Sequence, residues 1–105
     1  MNWHTKLERK IIKKKGGVPL VKYGYDGTIR GKPVEVRAVR KDDRFRIQKN
    51  THQELVRSGG KYIFVNSDGR SKTIAAKVVS KKLGRGKWFK DRDYPHKFLK
   101  KGDVF

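Results

Sequence analysis

The chain has 105 residues, with 29 Lys or Arg against 10 Asp or Glu, a formal net charge of +19 at pH 7, and no cysteine. Such a length suits one domain with a small core, and the missing cysteines exclude disulfide frameworks, thiolate zinc sites and cysteine nucleophiles. No apolar run approaches the roughly 20 residues of a membrane span and the N-terminal stretch lacks the apolar segment of a signal peptide, so a soluble, cytoplasmic protein without a membrane partner is expected, its charge matched by a polyanion such as nucleic acid.

Trp3, Leu7 and Ile11 recur at helical spacing, with Ile12 widening the apolar stripe, and predict an amphipathic helix over residues 3–15. Thr5 with Glu8 fits a capping box, Lys13, Lys14 and Lys15 suit the negative end of the helix dipole, and Gly16-Gly17 stops the helix. Residues 18–40 change to β-branched and aromatic residues punctuated by Gly24, Gly27, Gly31 and Pro33, which reads as strands and tight turns. A strand over residues 25–29 and one through Val34, Val36 and Ala38 form a hairpin about Arg30-Gly31-Lys32, so Asp26 lies alongside Glu35, and Glu35 and Arg37 point the same way. After the polar turn Lys41-Asp42-Asp43, Phe45 and Ile47 alternate with Arg44 and Arg46 in a third strand. A second helix follows, capped by Asn50 or Thr51 with Gln53 or Glu54 three residues on, and closed by Gly59-Gly60. Tyr62-Ile63-Phe64-Val65 reads as a buried central strand, Ser67-Asp68-Gly69 as a turn, and residues 73–79 as a strand running into a short helical turn near Ser80. Residues 84–105 mix Trp88, Phe89, Tyr94, Phe98 and Phe105 with lysines and arginines in no clean period. This predicts an irregular basic tail whose rings pack on the sheet. The order of elements gives an α/β fold, a small mixed β-sheet flanked by helices, within a single domain over residues 1–105.

In so basic a protein the acids are informative. Asp42, Asp43, Asp68, Asp91 and Asp93 sit in turn or tail contexts and Glu54 near a helix start. Asp26 and Glu35 lie in strand-like stretches, where carboxylates are depleted and must be held by something. One reading has them bind Mg²⁺ or Mn²⁺, hard ions that use one or two carboxylates together with phosphate and water. The other pairs Glu35 with Arg37 or Arg30 as a salt bridge and leaves Asp26 as a turn residue beside Gly27. His4, His52 and His96 are widely spaced and read as surface or tail residues. The glycine pairs lack the strand–loop–helix context of a nucleotide site, and no Ser or Thr has a His base at convincing spacing.

Tyr25-Asp26, then Gly31-Lys32-Pro33-Val34-Glu35-Val36-Arg37, Phe45-Arg46-Ile47, a helix with Leu55, Gly59-Gly60 and Tyr62-Ile63-Phe64-Val65 resemble the PD-(D/E)XK nuclease superfamily, over roughly residues 7–65. The similarity is greatest to its small members, such as archaeal Holliday junction resolvases and compact restriction or homing endonucleases. The resemblance implies a restriction-endonuclease-like core and Mg²⁺- or Mn²⁺-dependent hydrolysis of DNA phosphodiesters, with cleavage at junctions among the possible activities. Asp26 matches the motif aspartate and Glu35 the motif acid, both as metal ligands. Glu8 resembles the first-helix glutamate that some members direct to the same metal, although a capping role explains it equally well. Gln48 or Gln53 lies near the glutamine many relatives carry on the following helix. The family's lysine two residues after the motif acid is Arg37 here, and an arginine does not accept a proton at ordinary pH. Arg37 can orient water and stabilise charge on the phosphate, with Lys32, Lys41 or Lys49 as possible substitutes for the lysine.

Lys6, Arg9, Lys10, Lys13, Lys14 and Lys15 on the first helix, with Arg40, Lys41 and Lys49, are the expected contacts to phosphates of DNA, or of RNA. One site per chain and two strands to cut imply a homodimer. The rival is a non-catalytic DNA- or RNA-binding module, ribosomal or chromatin-like, for which the charge alone suffices.

Overall fold

The computed structural model describes residues 3–19, 26–90 and 95–105. Tyr25, Asp91, Asp93 and Tyr94, named above, lie outside them, as do the side chains of Trp3, His4 and Thr5. Helix α1 (Trp3–Lys14) is followed by β1 (Val18–Pro19), β2 (Gly27–Ile29), β3 (Lys32–Ala38), β4 (Arg44–Gln48), α2 (Lys49–Arg57), β5 (Lys61–Val65), β6 (Ser71–Ala75), α3 (Ala76–Leu83), β7 (Phe89–Lys90), β8 (Pro95–Lys100) and a 3-10 turn, Lys101–Asp103. The expected mixed α/β architecture is present, a five-stranded sheet ordered β1-β2-β3-β5-β6 with helices packed against it.

The β2–β3 hairpin turns through Arg30 and Gly31, both at positive φ (53° and 78°), with Ile29 opposite Lys32. Two successive left-handed residues make the turn whose twist matches antiparallel strands, and glycine supplies the second at no steric cost. Strands β3 and β5 run parallel, Glu35 opposite Tyr62 and Arg37 opposite Phe64, so α2 lies in the crossover that a parallel pair requires. Tyr62-Ile63-Phe64-Val65 is buried, as its continuous apolar run anticipated, but β5 lies between β3 and β6 and the middle strand of the five is β3. Ile63 and Val65 face one way, with Ile12, Val34 and Val36, and Tyr62 and Phe64 the other, with Phe45, Ile47, Leu55, Ala76, Val79 and Leu99. Phe45 meets Phe64 edge-on, ring centroids 4.8 Å apart.

Three expectations are corrected. Residues 84–105 are not an irregular tail: β8 pairs antiparallel with β4 from Arg44↔Lys100 to Gln48↔His96, and with β7, forming a second, three-stranded sheet. Phe98 and Leu99 are adjacent, between Lys97 and Lys100, so no period of two marks the strand, and pairing with a strand some fifty residues earlier leaves no local signature. Helix α2 starts at Lys49 with Gln48 as its N-cap and no side-chain capping bond, so Asn50, Thr51, Gln53 and Glu54 are all within the helix, and Glu54 pairs with Arg57. The turn near Ser80 is a full helix, α3.

Gly60 leads into β5 under close constraint. A Cβ there would stand 2.7 Å from the Pro33 carbonyl oxygen and 2.7 Å from Leu55 Cδ2. Gly60→Ala is therefore expected to destabilise the fold by about 1–3 kcal/mol, as overpacking does, read as a lower thermal midpoint; an unchanged midpoint would contradict the packing of α2 on the start of β5.

Candidate active site

Strand β3 brings the motif residues together. Where β2 ends, Asp26 stays beside β3: its N–H donates to the Val34 carbonyl at 3.0 Å, and its Oδ2 accepts from the Val36 N–H at 2.8 Å. The carboxylate thus takes the place of the next strand residue and ends the pairing, leaving the second half of β3 without a β2 neighbour among the described residues. Glu35 is 5% exposed and shares its face of β3 with Arg37, whose Nη2 donates to Glu35 Oε2 at 3.1 Å. The salt bridge of the plainer reading is therefore real. Asp26, however, is no mere turn residue, since it also lies within hydrogen-bonding reach of Glu35 and of Glu8 from α1.

Glu8 is not a capping residue. Helix α1 begins at Trp3, so Thr5 is inside it and cannot be its N-cap. The local account of Glu8 falls away, and what remains is its position against Asp26. The three carboxyls crowd one another. Burial pushes Glu35 well above its ordinary value of 4.5, the hydrogen bond with Asp26 adds to this, and Arg37 opposes it. Burial, then the charge and hydrogen bond of Asp26, push Glu8 up to about 7.

A pocket of about 230 Å³ opens beside Glu8, walled by Leu7, Val36, Arg37, Arg40 and Arg46. Arg46 reaches it from β4, in the second sheet. The Nε atoms of Arg37 and Arg46 are buried without a hydrogen-bond acceptor, the two such side-chain atoms among the described residues. Three arginines lining a space next to Glu8 are the residue type that offers fork-shaped donors to a phosphate. Arg46 escaped the sequence reading because alternation with Phe45 and Ile47 made it look like a solvated strand face.

Other anticipated residues lie elsewhere. Lys32 lines a separate groove with Lys15, Arg30 and Lys61, and neither Lys41 nor Lys49 walls the pocket, so arginines stand where a substitute lysine was sought. Lys6, Lys10, Lys13, Lys14 and Lys15 are exposed along α1 and Arg9 is half-buried, while Gln48 and Gln53 do not line the pocket. Two histidines expected at the surface are buried. His52 is 4% exposed, its Nδ1 2.9 Å from Tyr62 Oη and its Nε2 2.6 Å from Ser80 Oγ. Ser80 and His52 lie 28 residues apart, so no local spacing hinted at this contact. The imidazole packs between the Tyr62 and Trp88 rings and burial lowers its pKa, the state of a satisfied core histidine.

A family model described as the PD-(D/E)XK nuclease superfamily domain matches residues 2–98. The chain belongs to this superfamily. No curated protein and no solved structure shows a significant match. Membership in the PD-(D/E)XK superfamily brings a nuclease-like function, a nucleic-acid substrate and a general use of divalent metals. The residues here suit such an ion chemically: Glu35, almost fully buried, and Glu8 both have their pKa raised by burial and by the neighbouring Asp26, and Arg37 offsets only part of this. Among the described residues, no three His, Cys, Asp or Glu side chains are arranged as a ready metal cage. The reason is visible in Glu35 Oε2, turned to Arg37, and Asp26 Oδ2, bound to the Val36 amide, so an ion would have to draw Glu35 from its arginine. No described helix is long and apolar enough to cross a membrane.

A carboxyl whose pKa is raised in the folded state holds a proton that the unfolded chain has released, so its contribution to stability is full below pH 4.5 and is lost as pH rises through about 7 for Glu8. His52, depressed on folding, contributes the opposite slope below pH 6.5. Without divalent metal, the thermal midpoint of wild type relative to Glu8→Gln is expected to fall between pH 4.5 and 7, and Mn²⁺ to restore it at the upper end. Parallel profiles for the two proteins would mean that Glu8 does not share this cluster.

Proposed function

We propose that the protein is a metal-dependent endodeoxyribonuclease hydrolysing phosphodiester bonds, with Asp26, Glu35 and Glu8 holding Mg²⁺ or Mn²⁺. The observation behind this reading is a pocket walled by Glu8 from α1, Arg37 of β3, Arg40 just beyond it and Arg46 from β4, with Glu8 in turn set against Asp26 and Asp26 against Glu35. When bound, the ion supplies Lewis-acid polarisation of the phosphate and lowers the pKa of a water molecule, a contribution all the more important where the motif lysine is an arginine. Asp26, fixed by the Val36 amide, provides a rigid oxygen. Glu35 provides one that can exchange partners. Arg37, Arg46 and Arg40 line the same pocket, where their charge would stabilise a phosphate and orient the strand. The exposed lysines of α1 add contacts that hold a DNA backbone without reading its sequence. Cutting both strands, whether of a duplex or a branched junction, takes two such sites, and a homodimer provides them.

The Arg37–Glu35 contact favours a second reading, a PD-(D/E)XK fold retained for binding alone, since it already satisfies the motif acid. Cleavage of labelled duplex, single-stranded, four-way-junction and RNA substrates with Mg²⁺, Mn²⁺ or chelator separates the two. Metal-dependent cutting that Asp26→Ala or Glu35→Ala abolishes is expected; binding that falls steeply with salt and ignores both metal and these substitutions would establish the binder instead. Arg46→Gln is expected to slow cleavage by about 10²- to 10³-fold, the usual effect of removing a charge-stabilising donor, with the fold intact by circular dichroism. Full activity in that variant would remove Arg46 from the site.

A further inference from the structure

The second sheet has a groove that the acid site does not use. Strand β7 pairs with β8 only at Pro95 and His96, so from Lys97 onward no described strand lies on that side of β8. A groove of about 480 Å³ runs there, bounded by Phe89, Phe98, Arg44, Lys87 and Lys100, with no acid among its walls. Its size lies within the roughly 300–1,000 Å³ of small-ligand pockets and leaves room for a nucleotide. Phe89 is 67% exposed. Its ring continues into His96 (centroids 6.5 Å apart) and then Phe98 (5.0 Å). The Arg44 guanidinium lies 4.0 Å over the Phe98 ring, pinned by Nε and Nη2 bonds of 2.9 and 2.7 Å to the exposed Asp42 at the rim. Arg40 lies over the same ring at 5.5 Å and also walls the acid-site pocket, so groove and site adjoin.

An exposed ring, a second ring faced by a fixed guanidinium, and lysines alongside suit a strand of nucleic acid, and the chemistry distinguishes which form. A duplex keeps its base faces stacked inside and offers only phosphates and groove edges, whereas an unpaired base offers a π-face to Phe89 or to the Arg44 plane. We infer that this groove binds a single-stranded DNA segment, its bases stacked on Phe89 and the Arg44–Phe98 pair and its phosphates held by Lys87 and Lys100. Resting on the nuclease reading for what happens next door, the inference makes the substrate a DNA with unpaired nucleotides beside the bond that is cut.

The test is fluorescence anisotropy of the full chain in chelator at fixed salt, against a short labelled oligodeoxythymidylate and a duplex of equal length. Phe89→Ala, at an exposed position, is expected to weaken single-strand binding by roughly 5- to 150-fold, the effect of losing one base–aromatic stack, and to leave duplex binding unchanged. Phe98→Leu, which keeps an apolar side chain against β4, is expected to act in the same direction. Equal losses on both ligands would make the groove a backbone contact and overturn the proposal; no loss on either would overturn it in favour of a protein-covered surface. Because chelator removes cleavage from the measurement, the two readings fail separately. Single-strand binding that depends on Phe89 in a protein that never cuts DNA upholds the groove and sinks the nuclease, and metal-dependent cutting unaffected by Phe89→Ala in any substrate does the reverse.

Discussion

A carboxylate removed from water needs an opposite charge, a proton or a metal, and much of the architecture around β3 follows from Glu35 being in that position. Its place opposite Tyr62 on the central strand buries it. Arg37, two residues on and therefore on the same face, answers part of the demand. Asp26 answers another part while making it worse electrostatically, and it can remain only because the Val36 amide fixes one of its oxygens. Among the described residues that bond closes the β2–β3 pairing, and Glu8 approaches Asp26 from α1. The cluster is thus held under electrostatic strain by a hydrogen bond that belongs to the sheet.

Much of this was legible in the sequence, for reasons that can be stated residue by residue. The period of two in Val34, Val36 and Ala38 placed Glu35 and Arg37 on one face, and the Arg30-Gly31 turn placed Asp26 across from them. The apolar run at Tyr62 identified β5 as a buried strand. Glu8 was ambiguous because Thr5 offered it a local partner, and only the position of the helix start decides against that. The second sheet was illegible. Pairing between residues 44–48 and 96–100 depends on tertiary packing that no local period encodes, so Arg46 appeared to be a surface residue and His52 and His96 appeared unremarkable.

The excess of positive charge is distributed in two styles. Along α1 it is mostly lysine, exposed and, among the described residues, not set against a ring, suited to contacts that slide along a phosphate backbone. Around β4 it is arginine, set against Phe98, against Asp42 or without an acceptor at the pocket, where planar guanidinium groups are oriented. In the nuclease proposed above, the first style would gather substrate and the second position it. In a PD-(D/E)XK protein whose motif lysine has become arginine, the same preference extends to the centre of the site.

The pairing of β4 with β8 also sets an order of events. Asp26, Glu35 and Glu8 are all synthesised within the first third of the chain, yet β4, which holds Arg46 at the pocket, has its only described strand partner in residues 96–100. A nascent chain emerging from the ribosome therefore presents its acids long before the wall that would hold a phosphate over them, and non-local pairings of this kind are also the slow ones to form. Completion of the second sheet is the step that places Arg46, so a truncated translation product would retain the acids and the α1 lysines without the β4 wall of the pocket.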